Sequence, residues 1–95
     1  MSDEMVAVHA RIEGKVQRVW YRNWTVEQAI LRGLSGWVRN RLDGSVEAVF
    51  AGPKIQVDSM IEACREGPPK ARVDNIITLP AEVPSESGFR ETETV

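Results

Sequence analysis

Three stretches of the chain alternate between apolar and polar residues, which is the period of a β-strand with one buried face. They are residues 5–13, 37–42 and 46–51. In the first stretch the apolar positions are Val6, Val8, Ala10 and Ile12. The second and third are separated by a segment containing Asp43-Gly44, a pair typical of tight hairpin turns. With a further strand at 73–79 before Pro80, the pattern predicts four strands, of which the middle two form a hairpin.

Two other stretches repeat small or apolar residues at the three- and four-residue spacing of an α-helix. In the first, which follows Arg22, these residues are Val26, Ala29, Ile30 and Gly33. In the second they are Val57, Met60, Ile61 and Cys64. Gly33 is predicted to end the first helix, and Gly67-Pro68-Pro69 the second. Each helix therefore has one apolar stripe for packing on a sheet.

The predicted elements follow the order β-α-β-β-α-β, which is the split βαβ or ferredoxin-like plan of an α+β protein. Because each helix has one apolar stripe, we expect both on the same face of an antiparallel sheet. A chain of 95 residues is long enough for one core but not two, so residues 1–95 are predicted to form a single domain with its core at about 5–80. Phe89 can anchor a weak C-terminal edge strand at about 88–94, but the residues after it are polar. That strand is expected to affect stability and not chemistry.

A short loop joins the first strand to the first helix and carries Arg22 near the junction. Backbone N–H groups at a helix start lack acceptors within the helix and lie at the positive end of its dipole, so they attract anions. The planar guanidinium of an arginine placed there matches phosphate oxygens. Asn40 is a polar amide in a strand-like run further along the chain. A phosphate-binding loop facing a lone amide indicates chemistry on a small phosphorylated molecule.

Composition and charge are those of a small globular protein rather than of a general nucleic-acid binder. The hydrophobic fraction is 42%, the charged fraction is 27% and the net charge is −2, all ordinary for a soluble domain. Lysine and arginine are nevertheless in excess over residues 11–41. This basic segment includes the loop, so it would steer a small anion towards it.

Three blocks of the sequence resemble the acylphosphatase family. Residues 14–22, GKVQRVWYR, resemble its G-x-V-Q-G-V-x-F-R signature. Residues 33–52, GLSGWVRNRLDGSVEAVFAG, resemble its G-L-x-G-W-V-x-N…D-G-x-V-E segment, and residues 67–73, GPPKARV, resemble the stretch entering its fourth strand. Two independent signatures at the right separation make the resemblance specific.

The resemblance implies hydrolysis of an acyl phosphate to a carboxylate and inorganic phosphate, without a metal or a covalent intermediate. It also implies that Arg22 binds the phosphoryl oxygens and that Asn40 holds the attacking water. The other predicted substrate-binding residues belong to the loop and are Val16, Gln17, Arg18, Val19, Trp20 and Tyr21. The chemistry is consistent with this set, because a carboxylate whose acid has a pKa of about 4 leaves without needing a proton.

Two positions of the loop depart from the signature. Arg18 stands where the family has its second glycine, and Tyr21 stands where it has phenylalanine. If the loop needs a positive φ at position 18, an arginine there costs about 1–2 kcal/mol. Otherwise Arg18 adds a second cation near the phosphate. The tyrosine keeps the aromatic ring, and its hydroxyl needs only a partner or solvent.

Alternatives to an active enzyme stay open at this point. The chain could be an inactive family member disabled by Arg18, or an accessory module that binds phosphate or RNA. RNA-binding domains of this plan stack bases on aromatic residues of the central strands. The exposed side of the first strand offers no aromatic ring; its residues are Ala7, His9, Arg11 and Glu13.

The remaining sequence features limit cofactors, partners and location. Cys64 is the one cysteine, which excludes an internal disulfide, and no Cys/His cluster has metal-ligand spacing. We therefore expect no metal and no other cofactor. Residues 1–4 are not followed by a long apolar run, so neither a signal peptide nor a membrane anchor is predicted. The expectation is a cytoplasmic monomer acting on a small-molecule acyl phosphate, with no nucleic-acid or membrane partner.

Overall fold

A computed structural model describes residues 4–95 as a five-stranded sheet with two helices. The elements, in chain order, are β1 (Met5–Lys15), α1 (Tyr21–Leu31), β2 (Ser35–Asn40), β3 (Val46–Pro53), α2 (Lys54–Glu66), β4 (Arg72–Pro80) and β5 (Phe89–Glu91). The strand order across the sheet is β4-β1-β3-β2-β5. The predicted ferredoxin-like βαββαβ plan is confirmed, with β5 as a short additional strand. Residues 1–3, which the prediction included in a single domain, lie outside the described residues.

Both helices cover the same face of the sheet, as predicted. In the pairing of β1 with β3, Ile12 lies opposite Val46, and both side chains are fully buried. Ala29 of α1 and Met60 of α2 belong to the same buried cluster as these two residues. One core therefore lies between the helix layer and one side of the sheet.

The sheet is mixed, so the prediction of a wholly antiparallel sheet is wrong at one edge. β1 runs antiparallel to β3 and β4, and β3 runs antiparallel to β2, but β5 runs parallel to β2. The connection at 81–88 explains this direction. It passes from the β4 edge of the sheet to the opposite edge while staying at the same end of the strands, so β5 runs in the direction opposite to β4. β5 is also shorter than the predicted 88–94, because its one apolar anchor is Phe89, whose ring stacks 5.5 Å from that of Phe50.

The buried face of α1 differs from the predicted stripe. Its buried residues are Tyr21, Thr25 and Ala29, whereas Ile30 is 59% exposed. The helix starts with Tyr21, whose hydroxyl donates a hydrogen bond to the backbone carbonyl of Cys64 in α2 at 2.5 Å. This contact places the tyrosine side of the helix inward. The predicted stripe of α2 is confirmed, with Val57, Met60 and Cys64 fully buried.

The sheet face opposite the helices carries a group of charged side chains that we call the Glu47 cluster, comprising His9, Arg39, Arg41 and Glu47. The Glu47 carboxylate lies 2.6 Å from His9 Nε2, 2.7 Å from Arg39 Nε and 3.0 Å from Arg41 Nη1. Burial raises the pKa of Glu47, but the hydrogen bonds from these three cation-forming side chains outweigh that effect and hold the pKa at about 2. Each charged group of this cluster therefore has a partner within it.

Candidate functional site

Buried and hydrogen-bonded side chains hold the loop between β1 and α1 in place. Val16 and Val19 are buried in the core. The side chain of Gln17 points away from the core, and its Nε2 donates hydrogen bonds of 2.8 Å to the backbone carbonyls of Arg41 and Ser45. These contacts fix the loop against both the core and the hairpin between β2 and β3.

The backbone of this loop is strained at two positions. Arg18 has a φ of 62° and Trp20 a φ of 66°, and they are the non-glycine residues with positive φ among residues 4–95. A left-handed conformation costs a residue with a side chain about 1–2 kcal/mol. Position 18 therefore does need the conformation that glycine adopts freely. Strain of this kind concentrates at functional sites, and alternating left-handed residues turn successive N–H groups towards one concave side, where anions bind.

The start of α1 adds further unpaired donors to the same concave region. The first backbone hydrogen bond of the helix joins the Trp24 N–H to the Trp20 carbonyl at 2.9 Å, which leaves the N–H groups of residues 21–23 without an acceptor in the helix. No side chain of residues 4–95 caps this end, and the first turn contains no acidic residue. The positive end of the helix dipole is therefore not neutralised by the first turn.

These groups surround a cavity of about 250 Å³. Its lining residues are Val16, Arg18, Trp20, Tyr21, Arg22, Asn23 and Asn40. The structure thus brings Arg22 and Asn40 together, although they come from different elements. Gln17 and Val19, also predicted to bind substrate, do not line the cavity, and their side chains hold the loop instead. Trp20 is 73% exposed at the cavity wall.

Asn40 presents a polar atom that has no partner among the described residues. It is the last residue of β2, and it follows the fully buried Val38 by two positions, so both side chains face the helix side of the sheet. Within residues 4–95, the Asn40 Oδ1 is buried and accepts no hydrogen bond. Leaving such an acceptor unpaired costs about 1–3 kcal/mol. A hydrogen-bond donor bound in the cavity, such as water, would remove this cost.

Arg22 forms an ion pair that involves β5. Its Nη1 lies 3.1 Å from the Glu91 Oε2, and the two side chains are 35% and 36% exposed. Glu91 reaches this position because β5 lies beside β2, with Glu91 opposite Val38 in the parallel register. The last strand therefore brings a carboxylate to the candidate site, whereas the sequence predicted a role in stability alone.

Comparison with known proteins identifies the family. The sequence profile of the acylphosphatase family matches residues 8–91. The chain belongs to the acylphosphatase family. It is 55% identical over 87 residues to an acylphosphatase of Rhodospirillum rubrum, covering 92% of this chain and 96% of that one. It is 51% identical over 92 residues to an acylphosphatase of Rhizorhabdus wittichii, covering 97% and 93% respectively.

A solved structure shows the same acylphosphatase fold. The structure of an acylphosphatase from Coxiella burnetii matches with a TM-score of 0.89 and 34% sequence identity, covering 93% of each chain. The family and the enzyme class predicted from the sequence are confirmed by these matches. They favour an acylphosphatase over an accessory or RNA-binding module.

Two residues at the candidate site were not predicted. Asn23 lines the cavity, and its place in the first helical turn beside Arg22 was the signal that could have revealed it. Glu91 had no local signal, because its position depends on which strand β5 pairs with.

Within residues 4–95, no three His, Cys, Asp or Glu side chains are grouped so as to hold a metal ion. Over the same residues, neither helix has the length and apolar character needed to cross a membrane.

Proposed function

We propose that the protein hydrolyses acyl phosphates, releasing a carboxylate and inorganic phosphate. The observation that supports this most strongly is the cavity in which Arg22 and the start of α1 meet the unpaired Oδ1 of Asn40. It combines donors suited to a phosphoryl dianion with an acceptor suited to water. The relatives named acylphosphatase support the same reaction.

In this proposal, Arg22 and the backbone N–H groups of residues 16–23 bind the phosphoryl group. Phosphoryl transfer passes through a loose transition state whose charge lies on the equatorial oxygens. Donors already fixed in place stabilise that charge without reorganising during the reaction. Glu91 contacts Arg22 through Nη1, which leaves other N–H groups of the guanidinium to bind the phosphoryl oxygens.

Asn40 orients the attacking water. Its Oδ1 accepts a hydrogen bond from the water and directs the lone pair of the water oxygen towards phosphorus. A new bond forms between the water oxygen and phosphorus, and the bond from phosphorus to the acyl oxygen breaks. The carboxylate leaves with that electron pair and needs no proton, because the pKa of its acid is about 4. Since a carboxamide is too weak a base, the water proton passes to a phosphoryl oxygen.

The test is a comparison of two substrates under the same conditions. Benzoyl phosphate has the acyl phosphate bond, and phenyl phosphate is the matched ester control. We expect turnover of benzoyl phosphate and none of phenyl phosphate, since phenolate is a poorer leaving group than benzoate. Failure to hydrolyse benzoyl phosphate, or equal turnover of both compounds, would contradict the proposal.

We also propose that the protein is a cytoplasmic, single-domain monomer without a nucleic-acid partner. The open face of the sheet supports the last point, because Arg39 and Arg41 are paired with Glu47. The Trp37 ring on that face is covered by the Arg39 guanidinium, 4.6 Å from the ring centroid. Neither the cations nor the ring is free to bind a phosphate backbone or a base.

A further inference from the structure

In the part of the chain that the structure describes, Arg18 differs from the other arginines because its side chain has no polar partner. Within residues 4–95, its side chain makes no hydrogen bond and no ion pair, whereas every other arginine has at least one. Arg18 is exposed and lines the cavity that contains Arg22 and Asn40. The unpaired guanidinium therefore lies at the candidate site.

The net charge of the side chains around the cavity depends on Arg18. Arg22 is already paired with Glu91 at 3.1 Å, so these two side chains together contribute no net charge. A phosphoryl dianion approaching them meets a neutral pair. Arg18 provides a full positive charge on the cavity wall that no carboxylate of residues 4–95 offsets.

The backbone at Arg18 argues against a purely structural role. Its φ of 62° is a conformation in which a side chain is strained, and the family signature has glycine at this position. Within the described part of the chain, the side chain forms no hydrogen bond or ion pair that would offset this strain. A ligand in the cavity is the partner that remains.

We propose that the guanidinium of Arg18 binds the phosphoryl group together with that of Arg22. Its positive charge replaces the charge of Arg22 that the ion pair with Glu91 neutralises. The inference rests on the proposed function and makes it more specific. It means that this acylphosphatase binds its substrate with two arginines, Arg18 from the loop and Arg22 from the first turn of α1. Planar guanidinium groups bind phosphate oxygens with charge-assisted hydrogen bonds.

Three variants test this proposal by titration with inorganic phosphate, which is followed through backbone amide chemical shifts and needs no turnover. Arg18→Gln removes the charge and keeps a side chain in the strained conformation. Arg18→Gly removes both the charge and the strain. Lys15→Gln removes a neighbouring positive charge that does not line the cavity and is the matched control.

Both Arg18 variants are expected to raise the Kd for phosphate about tenfold at low ionic strength, and less at high salt. The control should change it less than about twofold, because its charge is exposed and screened. Arg18→Gly should nevertheless raise the melting temperature by about 3–6 °C, since the strain is relieved. A more stable variant with weaker binding separates a ligand contact from a structural role.

Two results would overturn the proposal. One is a Kd for Arg18→Gln that is no higher than that of Lys15→Gln, and the other is phosphate binding by Arg18→Gly as tight as by the unmodified protein. Arg22→Ala is titrated in parallel to separate the two proposals. If Arg22→Ala loses phosphate while the Arg18 variants do not, the second guanidinium is refuted and the proposed function stands. If Arg22→Ala keeps full affinity, the proposed function itself fails.

Discussion

The Glu47 cluster and the cavity beside α1 differ in whether all of their arginines have a partner within residues 4–95. In the Glu47 cluster, Arg39 and Arg41 lie on regular strands, and both are bonded to one partly buried carboxylate. In the cavity beside α1, Arg18 has no partner within residues 4–95 and lies on a strained loop. In the first region the charged groups are bonded to one another, whereas the second leaves donors and an acceptor for a ligand. Both regions are rich in arginine, so positive charge alone does not distinguish them. Unpaired polar groups and a strained backbone mark the candidate site.

Replacement of Arg22 by alanine should have the largest effect and tests whether the cavity needs its arginine. We expect kcat/KM for benzoyl phosphate to fall by at least about 10³-fold, because both a binding charge and transition-state donors are lost. The Kd for inorganic phosphate should rise as well. Steady-state kinetics and a phosphate titration measure these two quantities.

The matched control for this change is Arg39→Ala in the Glu47 cluster. It removes a paired arginine that does not line the cavity. We expect kcat/KM to stay within about threefold of the unmodified value, in keeping with a surface change outside the site. Equal losses in the two variants would contradict the distinction between the two regions.

Asn40→Ala should have the next largest effect and tests the acceptor side of the cavity. We expect kcat to fall by about 10²–10³-fold, as when one preorganised group is removed from such a site. The phosphate affinity should stay within about twofold, because Asn40 positions water and Arg22 holds the phosphate. A loss of affinity as large as in Arg22→Ala would refute the separate roles.

Glu47→Gln should have the smallest effect on activity and acts on stability instead. At neutral pH we expect the free energy of unfolding to fall by about 1–3 kcal/mol, because three charge-assisted hydrogen bonds are weakened. Turnover of benzoyl phosphate should be unchanged. Urea unfolding followed by tryptophan fluorescence measures the loss, and a large drop in kcat would contradict the separation of the two faces.

The pH dependence of stability sharpens the same test. The pKa of Glu47 is about 2 in the folded protein and 4.5 ordinarily. A depressed folded-state pKa means that the stabilisation is fully present above about pH 4.5 and is lost as the pH falls towards 2. The variant should therefore show a smaller loss of stability than the unmodified protein between these pH values. Parallel curves for both proteins would show that Glu47 does not contribute in this way.

Local patterns predicted most of the fold and much of the cavity. The hairpin turn at Asp43-Gly44 and the stripe of α2 follow from neighbouring residues, and so does the position of Arg22 at a helix start. The buried side of α1 was harder to predict, because Tyr21 turns inward to reach the Cys64 carbonyl across the core.

Contacts between distant strands were the part that sequence could not predict. The parallel pairing of β5 depends on where the connection after β4 crosses the sheet. That pairing brings Glu91 to Arg22, although β5 has a single apolar anchor. The sequence also left undecided whether residue 18 has a positive φ, because an arginine gives no local signal for a left-handed conformation.

A crystal structure of the protein with bound inorganic phosphate tests the central claim most directly. We predict the ion in the cavity beside α1, with its oxygens about 3 Å from the Arg22 guanidinium and from the N–H groups of the loop. A water molecule bonded to the Asn40 Oδ1 should lie on the open side of the phosphorus. An ion bound elsewhere, with Arg22 still bonded to Glu91 alone and no ligand in the cavity, would contradict the account.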